Sequence, residues 1–231
     1  MMDDLFTDSA IRGKTLTRAD IEALAKTRSP AELIDCDLED ADLSQLDLRG
    51  WSFERCNLRR CKLSGAQLEG SKWRSCRGAF ADFVGAELTD AVFAASDFNN
   101  ATFRRSTISS ASFNGCKLTG ADLSEARAME VSFEETLLVN AKLPSFAFRK
   151  QTLKKIDFSN ADIRKCDFRD AVFDDCSVRD ANMAGSRFEG SDLRGADIGG
   201  LRLMDAGLFR GATISREQAG QLLGELGLNV R

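Results

Sequence analysis

A period of five governs this chain. From Leu33 to Leu208, without an insertion or deletion, every fifth residue is Leu, Phe, Ile, Val, Met or Trp at 34 of 36 places, and only Gly78 and Ala128 depart. Two residues before each central position, from Cys36 to Ala206, stands Ala, Cys, Ser or Thr at 28 of 35 places. A helix with 3.6 residues per turn cannot hold such a pattern on one side, and a long strand would need period two throughout. A very short strand satisfies it. The small and the large residue, two apart, point to one face, and the next two residues, polar or glycine, turn a corner before the unit repeats. The chain must coil.

Central residues 20 apart resemble each other, and stacked positions in a solenoid share an environment. The column Leu33, Phe53, Trp73, Phe93, Phe113, Phe133, Leu153, Phe173 and Leu193 is aromatic at six of nine places, against two or three in each of the other three columns. Four faces per coil follow. The pattern predicts an all-β solenoid over residues 32–213, about nine coils spaced by about 4.8 Å and so roughly 42 Å long. A core ladder through Phe53, Trp73, Phe93, Phe113, Phe133 and Phe173 would fill it.

Repeats such as CDLEDADLSQLDL, ADLSE and SDLRGADI resemble the A(D/N)LXX unit of the pentapeptide-repeat family, over about three quarters of the chain. The resemblance implies a right-handed quadrilateral β-helix, a handedness that spacing alone does not supply.

The 231 residues, 43% hydrophobic, suit one domain or at most two. Neither histidine nor tyrosine occurs, which excludes a Ser-His-Asp triad, a Cys-His pair, a histidine metal cage and a histidine base. Only lysine, carboxylate or thiol chemistry is left, and no such groups converge. All seven cysteines (Cys36, Cys56, Cys61, Cys76, Cys116, Cys166, Cys176) fall at the small inward position, where a thiol acts as a small hydrophobe. The chain thus reads as a binding protein without catalytic residues, cofactor or metal. No run of 18 apolar residues occurs and the first residues are acidic, so neither a membrane span nor a secretory signal is expected. Cytoplasmic, reduced thiols are. A net charge of −4 disfavours direct nucleic-acid binding.

Both ends should be helical caps. In residues 1–31, Thr17 and Asp20 are spaced as a capping box, with Ile21 and Leu24 on one face and Ser29-Pro30 as the stop. In residues 214–231, Ser215 and Gln218 form a second box, with Ala219, Leu222, Leu223 and Leu226 as an apolar stripe, Gly227 as the stop, and Leu228 and Val230 in a short tail. This segment resembles the C-terminal module of the Qnr and MfpA-type quinolone-resistance proteins, which joins two rods tail to tail. The resemblance implies a homodimer interface of Leu222, Leu223, Leu226, Leu228 and Val230; simple capping of the last coil is the other reading.

Those relatives are thought to imitate DNA in the saddle of DNA gyrase or topoisomerase IV, and a like role, protection from quinolones or another poison, is what the resemblance implies here. The charge pattern fits this imperfectly. Acidic against basic residues from 32 to 210 number 8 to 6, 7 to 5, 6 to 7 and 8 to 7 on the four faces, so no face is strongly acidic. Charge separates along the axis instead: Asp35, Asp37, Glu39, Asp40, Asp42 and Asp47 precede Arg49, Arg55, Arg59, Arg60, Lys62, Lys72, Arg74 and Arg77. Such bands are either plain solvated surface or a contact for a protein partner. A scaffold or effector-like solenoid presenting them to an unrelated protein is the alternative function.

Two irregularities carry structural expectations. The hole at Gly78 should be covered by Phe80 or a neighbouring large side chain. Around Pro144, the large residues Phe146, Gln151 and Ile156 stand where small ones belong and should bulge or widen a coil.

Overall fold

The computed structural model describes residues 10–27, 29–201, 203–225 and 227–230. Ten parallel strands lie in sequence order in one sheet: β1 (Ile11–Arg12), β2 (Glu32–Ile34), β3 (Ser52–Glu54), β4 (Lys72–Arg74), β5 (Val92–Ala94), β6 (Ser112–Asn114), β7 (Ser132–Glu134), β8 (Thr152–Lys154), β9 (Val172–Ser177) and β10 (Asp192–Asp197). Strand partners are 20 residues apart, as in Phe53↔Trp73 and Phe93↔Phe113. The other three faces pair by single bridges at the same offset, such as Asp37↔Asn57, Asp42↔Lys62 and Asp47↔Gln67. The architecture is a right-handed quadrilateral β-helix of about nine coils. We number the coils from residues 31–50 and the faces by their first central residues, Leu33, Leu38, Leu43 and Leu48.

The corners explain why five residues suffice. The last residue of nearly every unit, among them Asp35, Asp40, Arg55, Arg60 and Asn100, has φ between 48° and 68°, and glycine takes the same role at Gly50, Gly65 and Gly85. This left-handed conformation is strained for branched side chains, and from position 35 to position 200 no Val, Ile or Thr occupies it. Phe80 (φ 62°) is such a corner residue, and it points outward, 58% exposed. It therefore does not cover Gly78. The hole is filled by Phe98, the central residue of the next coil on the same face, whose ring stands 2.1 Å from where a Cβ on Gly78 would lie.

Inside, aromatic stacking changes face partway along. On the first face, Phe53 stacks on Trp73 (ring centroids 4.1 Å), Phe93 on Phe113 (4.6 Å) and Phe113 on Phe133 (5.1 Å). Further on, the fourth face takes over: Phe148 on Phe168 (5.0 Å), Phe168 on Phe188 (4.8 Å) and Phe188 on Phe209 (4.5 Å). Phe173 is buried beside this second stack, 5.4 Å from Phe168 and tilted.

Between regular coils the main-chain ladder is continuous with one exception. No backbone hydrogen bond joins residues 125–131 to residues 144–151 or to Thr152 N–H among the described residues. One coil earlier the corresponding amides of Arg105, Ile108, Ser110, Arg127 and Ser132 are all bonded. The expected widening thus takes the form of a one-sided opening along the fourth face between coils five and six, ending at the start of coil seven. The first face stays joined there by the β6–β7 pairing, and the second and third through Leu118 N–H to Leu137 O (2.8 Å), Leu137 N–H to Cys116 O (2.9 Å) and Leu123 N–H to Lys142 O (2.7 Å).

The ends differ from the sequence expectation in two ways. Coiling starts before residue 32, since β1 pairs with β2 (Ile11↔Leu33) and Thr15 bridges Asp37. At the far end the period breaks after residue 200. A 3-10 helix (Leu203–Phe209) intervenes, Asp192 pairs with Thr213 at an offset of 21, and Phe209 rather than Leu208 stacks on Phe188. A single extra residue suffices to shift the large side chain out of the five-residue count.

Helices close both ends. In α1 (Arg18–Ala25) the Thr17 hydroxyl accepts from Asp20 N–H while the Asp20 carboxylate accepts from Thr17 N–H (2.8 Å). Ile21 is fully buried in the core, and Arg18 Nη1 donates to the carbonyls of Asp42 (2.9 Å) and Ser44 (3.3 Å). In α2 (Arg216–Glu225) the buried Gln218 completes the second capping box, its Oε1 accepting from Ser215 N–H (2.6 Å), and its Nε2 donates to Leu193 O and Ala196 O (2.7 Å each). These contacts satisfy main-chain carbonyls that an open coil end would leave bare.

Candidate functional site

Thiols are the reactive groups buried inside the rod among the described residues, and geometry gives them a structural task. All seven are free and buried. Five of them (Cys36, Cys56, Cys76, Cys116, Cys176) share one column with Ser96 and Thr136, just past the corner that ends the first face. In this column Cys56 Sγ donates to Leu33 O (3.3 Å), Cys76 Sγ to Phe53 O (3.2 Å), Ser96 Oγ to Trp73 O (3.2 Å), Thr136 Oγ1 to Phe113 O (3.0 Å) and Cys176 Sγ to Leu153 O (3.3 Å). The position therefore asks for a small side chain that donates, which the sequence reading of a small hydrophobe missed. The signal was present in the alternation of Cys, Ser and Thr down a single column. Burial pushes Cys61 and Cys166 up to about 12 and Cys116 and Cys176 up to about 11, so these four are poor nucleophiles at neutral pH. Among the described residues no group of three or more acidic or thiol side chains is placed to hold a metal ion, and no helix is long and apolar enough to cross a membrane.

The charge bands meet each other. Stacking at an offset of 20 puts the acidic first coil against the basic second. Arg55 makes a two-pronged pair with Asp35 (2.8 Å each), Arg60 with Asp40 (2.7 and 2.8 Å) and also with Glu39 (2.6 Å), and Asn57 bridges Asp37 and Glu39. Asp47 pairs within its own unit with Arg49 (2.6 Å), and Asp42 with Arg18 (3.4 Å). Hydrogen bonds from Arg55 and Arg60 hold the Asp35 and Asp40 carboxyls below the usual range. Arg59, Lys62, Lys72, Arg74 and Arg77 make no ion pair within 4 Å among the described residues. What reads as two opposed bands in one dimension is, folded, a largely self-neutralised surface with a basic remainder.

The C-terminal apolar residues divide. Leu222 packs inward against the core, while Leu223, Leu228 and Val230 are 40, 56 and 55% exposed. After Gly227 (φ 81°) the chain turns back, with Leu228 N–H donating to Leu223 O (3.0 Å) and Val230 coming to rest near Gly220. Leu226 lies outside the described residues.

The two models of pentapeptide repeats match this chain: one for a pentapeptide repeat region over residues 29–103, and one for runs of eight pentapeptide copies over residues 108–143, 147–180 and 171–206. No curated protein sequence matches it. Among solved structures, a trypsin-treated variant of QnrB1, a plasmid-mediated fluoroquinolone resistance protein, is similar with a TM-score of 0.74 at 22% identity, covering 87% of this chain and 100% of that one. Full-length QnrB1 gives 0.58 at 19% identity over 95% and 97%. HetL, a protein involved in heterocyst differentiation regulation from the cyanobacterium Nostoc, gives 0.64 at 22% identity over 81% and 86%. With matched repeats running from residue 29 to residue 206 and a coil of 20 residues to account for each, this chain belongs to the pentapeptide-repeat family.

Proposed function

We propose that the protein is a non-enzymatic dimeric rod that engages DNA gyrase or topoisomerase IV in place of a DNA segment and shields the enzyme from quinolones or another poison. The observation that supports this best is the likeness in fold to QnrB1 along nearly the full length of both chains. The outward side chains of Leu223, Leu228 and Val230 on the end face fit the same reading. Two such faces meeting about a two-fold axis would give each copy the same contact and a rod of about 85 Å. A dimer would reach both halves of a two-fold saddle and gain the avidity of linked contacts.

Purified protein in a gyrase supercoiling assay, with and without ciprofloxacin, tests the partner: protein that neither inhibits gyrase nor protects it refutes the reading. Light scattering tests the assembly. A Leu223→Asp, Leu228→Asp double variant should be a folded monomer with weakened effect on gyrase, and a wild-type monomer at tens of micromolar would refute the dimer.

A second reading, a scaffold or effector-like solenoid for an unrelated protein, is favoured by the pairing of the charge bands. A self-neutralised surface imitates the uniform charge of a phosphate backbone poorly.

A further inference from the structure

The opening between coils five and six has features that a simple packing fault lacks. Its main-chain groups, the amides of Glu125, Ala128, Glu130, Ala147 and Thr152, are those that pair at every regular junction, and here they do not. Main-chain donors left without a protein partner are costly unless water reaches them, so the opening is a place where solvent enters the wall of the rod. It widens outward into a recess of about 370 Å³ lined by Ala126, Ala128, Met129, Glu130, Phe146 and their neighbours, with Met129 74% exposed.

The two lips of the opening carry opposite charges. Oppositely charged corner residues 20 apart form ion pairs at 2.7–2.9 Å in four places, Asp35 with Arg55, Asp40 with Arg60, Glu125 with Arg105 and Glu135 with Lys155, while Lys150 with Asp170 and Lys155 with Asp175 form none within 4 Å. Glu130 and Lys150 occupy equivalent corners with the same spacing and complementary charge, and make no ion pair within 4 Å among the described residues.

Phe146 is the wedge. It stands at a small position, buried, with its ring 6.5 Å from Phe133 and 6.2 Å from Phe148. Ala128, across the recess, has surrendered the large side chain of its own position. The aromatic stack also changes from the first face to the fourth at this level. The first-face column crosses the junction as Phe113 on Phe133 and ends there, while on the fourth face Ala128 leaves Phe148 without a ring to stack on in coil five.

We infer that the rod is hinged here: the coils before and after the opening tilt about the bonded first, second and third faces, alternately parting and approaching Glu130 and Lys150. Hydrogen exchange tests the opening. The amides of Glu125, Ala128, Glu130, Ala147 and Thr152 should exchange at least ~100-fold faster than those of Arg105, Ile108, Ser110, Arg127 and Ser132 one coil earlier. Spin labels test the motion. The native thiols being buried, cysteines at Thr107 and Arg187 span the opening over four coils of the fourth face, and cysteines at Asp47 and Arg127 span four coils without it. The first pair should give the broader distance distribution. A double variant Ala128→Leu, Phe146→Ala, which restores the repeat pattern, should bring both exchange and distance width to the control values. Equal protection at the two amide sets would overturn the opening itself, and fast exchange with equally narrow distances would leave a static gap and overturn the hinge.

Discussion

Gly78 and Ala128 are the same defect in sequence, a missing large residue at a central position, and the fold resolves them in opposite ways. At Gly78 the vacancy is filled by Phe98, a ring already belonging to the central column one coil on, and the ladder stays whole: Gly78 N–H reaches Asp97 O at 2.7 Å and Phe80 N–H reaches Asn99 O at 2.9 Å. At Ala128 the filling ring, Phe146, comes from a small position, while Phe148 keeps its own central place beside it. Two rings then stand in one unit of the coil, and the wall parts. A solenoid tolerates a missing side chain if the replacement volume arrives along its own column; volume arriving from the neighbouring column separates coils.

That contrast can be broken by mutation. Phe98→Ala should be the most damaging change, costing about 3–5 kcal/mol, because it empties a site already lacking a side chain at Gly78. Urea midpoints at constant slope would measure it. Phe146→Ala should cost at least about 1 kcal/mol less, since relief of the wedge offsets part of the lost burial. An equal or larger loss would mean that Phe146 is an ordinary core residue. Gly78→Ala comes next, at about 1–3 kcal/mol, because the new methyl would overlap the Phe98 ring.

A rise in pH should sharpen the contrast between core and surface. The folded state holds Cys61 and Cys166 up at about 12 against an ordinary value near 9. Between these values the unfolded chain loses thiol protons that the native chain keeps, so stability is complete below about pH 9 and falls as pH rises toward 12, by up to about 1.4 kcal/mol per pH unit for each such thiol. Replacing both by alanine should flatten the melting temperature over that interval. Smallest of all is Arg55→Gln: an exposed ion pair contributes little, and its thermal midpoint should stay within error of wild type in moderate salt.

Much of this fold is written in the sequence because each unit repeats one local decision. The inward pair at Cys36 and Leu38 and the corner at Asp40 can be read without neighbours, and the 20-residue likeness of Phe53, Trp73 and Phe93 supplies the coil. What could not be read depends on the coil above or below. Whether Phe80 or Phe98 covers Gly78 depends on a corner dihedral. Whether Asp35 and Arg55 form bands or a pair depends on stacking. The one-residue slip that brings Phe209 onto Phe188 depends on a 3-10 turn that carries no mark in the period. The candidate interface was legible as a stripe, but its division into the inward Leu222 and the outward Leu223 was not, since helix phase alone does not say where the last coil ends.

Gln218 ties these levels together mechanically. Through Leu193 O, Ala196 O and Ser215 N–H it anchors the terminal helix to main chain of the ninth coil, so the end face is continuous with the rod. A load or torque applied at Leu223 and Leu228 passes into the β-ladder and runs along it until it meets the first compliant joint, at Glu130 and Lys150. The molecule is a stiff beam on either side of one soft section, and the angle between its two segments is set there.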